Sequence, residues 1–240
     1  MNARARRLAP FAGYLMVGLV VVVLVLPNSP DSKASGAKVI AFFTHHKNQT
    51  HLQDFLLAYA GLATVVYFTA LAGHLRSRGS QLLATMTVGG GLLTAAGFCL
   101  GAGMNEALAD QPKRLTADSA QALNMLGNNT FAILLFAGLA LATTSAGVAM
   151  LRTKALPTAL GVITTVVGVA FTSGFLAWPA FLATGPLVLV TAVYVYARAG
   201  RPTQITLPDA NVQIPAQTEA AGPKAQAAPA KPKAKATSSG

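Results

Sequence analysis

The sequence predicts an all-α polytopic membrane helix bundle with six transmembrane helices, and three observations predict it. Of 240 residues, 53% are hydrophobic and only 10% charged, too apolar for an ordinary soluble domain. The apolar residues are gathered into long runs nearly free of charge, which is the pattern of membrane spans. Basic residues cluster in alternate connections between those runs, as they do when a chain crosses a bilayer repeatedly.

The expected spans are 9–26, 55–73, 82–103, 130–151, 158–175 and 180–197, within a transmembrane domain of residues 1–198. The first follows a basic head, MNARARR, and has the outline of a signal peptide. Residues 27–37 offer no good small-x-small cleavage site and further apolar runs follow, so it reads as a retained span. Residues 33–47 place Val39, Ile40, Phe42, Phe43 and His46 on one helical face, with Asp31 or Ser32 as N-cap. This is an amphipathic helix in the first outer loop, either lying on the membrane surface or capping the bundle.

The second span opens at Asp54, whose carboxylate meets the helix N-terminus favourably. The third carries Gly89, Gly90, Gly91, Gly97, Gly101 and Gly103, including the GxxxG pair Gly97 and Gly101, and belongs in the middle of the bundle. Residues 116–128 suggest a separate short helix capped by Thr116 or Asp118. The fourth span has Gly138, Ala142 and Ala146 at four-residue spacing. Pro157 opens the fifth, whose Gly, Thr and Ser content predicts that it faces protein rather than lipid. Trp178 and Pro179 mark an outer turn, and the sixth span carries Gly185-Pro186, a kink signal. Residues 199–240, rich in Ala, Pro and Lys, predict a disordered tail.

With the N-terminus cytoplasmic, thirteen Lys and Arg fall inside and five outside: Lys33, Lys38, Lys47, Lys113 and Arg114. The positive-inside rule therefore predicts N-in and C-in. The net charge of +11 is then mostly cytoplasmic, suiting anionic lipid or a protein partner for the basic tail better than nucleic acid.

Three stretches, SPDSKASGAKVIAFFTHHKNQ, ALNMLGN and LRTKALPTALG, carry a likeness. Over 11–198 the chain resembles a broad family of uncharacterised six-span integral membrane proteins common in actinobacteria. The resemblance implies a multi-pass protein of a bacterial inner membrane and transfers no activity, cofactor or site residue.

The candidate chemistry is sparse. His45, His46, His51 and Asp54 are residue types that zinc takes, but their spacing matches no closed motif, and the reading preferred is a set of interfacial polar residues in a wet loop. None of the expected spans has Asp, Glu, Lys or Arg near its centre, where each would cost about 2.5–3.5 kcal/mol and where proton-coupled transporters keep them. Cys99 sits among apolar residues, and GGGLLTAAG lacks the lysine of a phosphate loop, so no enzyme, catalytic residue, metal or cofactor is expected. Two roles remain. The first is a non-enzymatic scaffold or accessory component, able to form a homo-oligomer through its GxxxG face. The alternative is a binder or transporter of a neutral or lipid-like molecule, which predicts a cavity lined by Thr94, Thr143, Thr165 or Thr172.

Overall fold

A computed structural model describes residues 3–199, with side chains placed over 11–197. The expected disordered tail, with its four lysines, lies outside the described residues, as do the side chains of the basic head. Among the described residues the fold is all-α, with seven helices: α1 (Ala3–Val25), α2 (Gly36–His45), α3 (Lys47–Arg76), α4 (Gln81–Asp110), α5 (Ala117–Thr153), α6 (Thr158–Ala170) and α7 (Ala177–Ala199). Four of them, α3, α4, α5 and α7, are long and apolar enough to cross a membrane, and two shorter apolar stretches lie in α1 and in α6 with its 3₁₀ extension. Chain neighbours α3 to α6 pack in sequence, α1 lies against α3, and α7 closes back on α1.

Several helices run past the expected boundaries. The early start of α3 draws His51 and Asp54 into helix, and α4 continues to Asp110. Residues 116–128 are not a separate helix but the N-cap and first turns of α5. Thr116 is its N-cap, its Oγ1 accepting from Ser119 N–H at 3.2 Å. Nothing interrupts the helix at Gly127, because Asn124 and Asn128 satisfy their side chains without unwinding the backbone. At about 1.5 Å per residue, its 37 residues make a rod near 55 Å, which is longer than a bilayer core.

Helix α2 starts later than expected, and Asp31 does not cap it. Asp31 Oδ1 instead accepts from Lys33 N–H at 2.8 Å, a local turn. The helix is amphipathic, with its apolar face on protein: Val39 and Phe43 are fully buried against Leu108 and Ala109 of α4 and Ala120 of α5. Gly36 is pressed on the backbone of Ala117, where a Cβ has no room. Of the two expected placements, the bundle cap is the one observed.

The α4–α5 seam is built from small residues. A Cβ at Gly90 would collide with the backbone of Gly138 and Ala142, and one at Gly138 with that of Gly90 and Thr94. Gly97 and Gly101, the GxxxG pair, lie against Leu135 and Phe131 of α5, so their close approach is taken within the chain. On its other side α5 meets α6 through Gly147, Gly161 and Gly168. Helix α6 does not face protein all round: Val162, Ile163, Val166 and Val169 are exposed on its outer side. Trp178 and Pro179 stand in the first turn of α7, and the chain reverses just before them at Gly174, whose φ is 61°.

The seam makes a direct prediction. Gly90→Leu and Gly138→Leu should each destabilise the bundle by at least about 1–3 kcal/mol, the cost of overpacking. Gly89→Ala, whose Cβ meets nothing within 4 Å, should stay within about 0.5 kcal/mol. Unfolding in mild detergent, followed by circular dichroism, reads the difference.

Candidate ligand cavity and polar cap

Helices α1 and α7 touch where α1 offers glycine. A Cβ at Gly13 would press on Tyr67 and Val188, and Val17 lies beside Gly185. Beyond that contact they do not fill the space between them, and a cavity of about 340 Å³ remains. Val20, Val21 and Leu24 form one wall, and Phe181, Leu182 and Pro186 the other. Its floor is Thr64 of α3, Thr94 and Phe98 of α4, and Leu139 of α5, all buried. Val21, Leu24 and Leu182 are exposed at the mouth, which therefore opens sideways toward the region that lipid chains would occupy.

The volume lies within the range of small-molecule sites, roughly 300–1,000 Å³. Among the described residues, no ionisable side chain lines it. Its polar side-chain atoms among them are threonine hydroxyls, each already donating to its own helix. Thr64 Oγ1 donates to Ala60 O at 2.7 Å, Thr94 to Gly90 O at 2.9 Å and Thr184 to Ala180 O at 2.8 Å. Of the threonines expected around a pocket, Thr94 is in place. Thr143 lines a separate gap of about 10 Å³, Thr165 packs on Gly147, and Thr172 is exposed and bonded to Val169 O. Thr64 and Thr184 were not foreseen, since single threonines in apolar runs give no periodic signal.

The second feature is polar and lies at the end of the bundle under α2. His45, His46, His51 and Asp54 do not converge there. His45 is exposed, while His46 Nδ1 lies 3.1 Å from Phe42 O and its ring stacks on Phe42. His51 Nδ1–H donates to Glu106 Oε2 at 2.7 Å, tying α3 to α4. Asp54 is buried, its Oδ1 accepting from Asn105 Nδ2 at 3.4 Å. Among the described residues, no three His, Cys, Asp or Glu side chains gather as a ligand set for a metal.

The residues that organise this end are asparagines. Buried Asn124 donates from Nδ2 to the carbonyl of Asp31 at 3.0 Å, and Asn128 donates to Pro30 O at 3.3 Å. Ser29 Oγ donates to Asn105 Oδ1 at 3.3 Å, and Lys47 Nζ to Asp110 O at 2.9 Å. The first three of these bonds fasten residues 26–35, which have no regular structure of their own, over the ends of α4 and α5, and the Lys47 bond ties the start of α3 to the end of α4. Their signal in the sequence was the i, i+4 pair Asn124 and Asn128, polar positions on one helix face.

No family model, curated protein or solved structure matches the chain. The cavity and the cap must therefore carry the functional argument by themselves.

For the cap, Asn124→Ala removes a buried donor from two carbonyls and should cost about 1–3 kcal/mol, with faster proteolysis within residues 26–35. Asn129→Ala, at an exposed position, should leave both readouts unchanged.

Proposed function

We propose that the chain is a six-span membrane protein that holds a neutral, lipid-like molecule between α1 and α7. The observation that carries this reading is the sideways-open apolar cavity of about 340 Å³ with a floor of buried threonines. A bundle acting only through its outer surfaces, the scaffold role first expected from the sequence, needs no such space. An opening toward the lipid chains lets an apolar molecule enter without crossing water. Among the described residues no ionisable side chain lines the cavity, which favours an uncharged ligand and passive holding over ion-coupled transport.

Six crossings with both termini cytoplasmic remain the favoured topology. Helix α1 spans about 34 Å at helical rise, and α6 with its 3₁₀ turn about 25 Å, short but workable beside longer neighbours. Arg4, Arg6, Arg7, Arg76, Arg78, Arg152 and Lys154 belong by their place in the chain to the end opposite α2, against Lys33, Lys38, Lys47, Lys113 and Arg114 at the α2 end. That asymmetry supports placing the α2 end outside. A bacterial inner membrane is the setting consistent with the family likeness.

Native mass spectrometry of protein released in mild detergent tests the ligand reading. The expected result is one neutral molecule per chain, retained through washing. It should be lost from Gly185→Phe, where a Cβ has ordinary contact with Val17 at 3.7 Å and the ring can enter the cavity. Clean apo-protein in both samples would overturn the proposal and return weight to a scaffold role.

A further inference from the structure

We infer that the molecule held between α1 and α7 is a neutral single-chain alcohol, one that brings a hydrogen-bond donor on an apolar chain. The inference rests on the ligand reading above and adds to it the chemistry of the occupant. It follows from the direction in which each polar atom of the cavity already points.

A hydroxyl has one hydrogen and two lone pairs. On the floor and wall, Thr64, Thr94 and Thr184 each spend that hydrogen on the carbonyl four residues earlier, at 2.7–2.9 Å. What each oxygen has left is therefore a lone pair, an acceptor, though that of Thr94 also stands against Gly138 in the α4–α5 seam. A fourth acceptor comes from the backbone. Pro186 lies inside α7 and has no N–H, so the carbonyl of Leu182 loses its ordinary helical partner, and both residues line the cavity. Among the described residues, the lining holds acceptors and no uncommitted side-chain donor.

Such a cavity discriminates by hydrogen-bond polarity. An alcohol can give its hydrogen to one of these oxygens, which it cannot do among lipid tails. An ether or ketone of the same length brings only acceptors and finds no donor. A carboxylate finds neither a donor nor a countercharge, since among the described residues no ionisable side chain lines the space. Size limits the chain as well. A dry cavity of ~150 Å³ accommodates benzene, so about 340 Å³ takes on the order of a dozen carbons, one chain rather than a two-chain lipid.

The test uses the whole chain in nanodiscs of saturated phosphatidylcholine and measures saturable binding of tritiated lauryl alcohol. Dodecane, lauryl methyl ether and laurate serve as competitors, each corrected for uptake by empty nanodiscs. Lauryl alcohol should compete at least about tenfold better than its methyl ether, roughly one hydrogen bond's worth. Thr64→Val with Thr94→Val and Thr184→Val, near-isosteric changes that leave only the Leu182 carbonyl as acceptor, should reduce that preference at least severalfold while dodecane still competes. Retained competition by dodecane shows that the variant is folded. Equal competition by alcohol, ether and alkane in the unaltered protein would overturn the alcohol inference and leave a cavity that takes any chain, bilayer acyl chains included. Preference for laurate would overturn it too. No saturable binding beyond that of Gly185→Phe would defeat the ligand reading itself.

Discussion

The contact on which the rest of this structure depends is the backbone-to-backbone approach of α4 and α5 at Gly90, Gly138 and Ala142. Within a bilayer there is no hydrophobic drive to bring two apolar helices together, so association rests on close van der Waals packing. Glycine provides it by removing the side chain that would hold the axes apart. Once α5 lies this close to α4, its opposite face is presented to α6, where Gly147, Gly161 and Gly168 repeat the arrangement. Helix α3 joins the other side of α4, with Phe68 filling the space over Gly91. The core of the bundle is thus set by small residues, and its large side chains take the room that is left.

The same reasoning locates the cavity. Helix α1 is rich in Val and Leu over residues 15–26 and has no glycine after Gly18, so its second half cannot approach α7 as α4 approaches α5. Contact holds at Gly13 and Gly185 and opens beyond them. Pro186 stands at the edge of the opening, depriving one carbonyl of its partner in the wall of the space. The tight seam on one side and the open seam on the other follow from where the glycines fall.

Most of the fold was legible because helix-length apolar runs and small-residue spacings are strong local signals. Gly138, Ala142 and Ala146 announced a packing edge, and Gly97 and Gly101 a close approach. What was not legible was the neighbour: GxxxG says that a helix comes close, but not that it belongs to the same chain. Helix ends were also hidden, because α3, α4 and α5 extend beyond their apolar stretches into polar turns held by tertiary bonds such as Asn124 to Asp31 and His51 to Glu106. His45, His46 and His51 drew attention as scarce residues, yet His46 is placed by Phe42 of its own turn, His51 by Glu106 across to α4, and His45 by solvent. The cavity could not be read from one dimension, since Thr64, Thr94 and Thr184 lie on three helices and resemble any other threonine that bonds back to its own turn.

The most direct measurement of this account is an electron cryomicroscopy map of the protein in lipid nanodiscs. The account predicts one elongated density between α1 and α7, its inner end against Thr64 and Thr94 and its outer end at Leu24 and Leu182. Helices α1 and α7 closed on each other, with their own side chains filling the space, would contradict it.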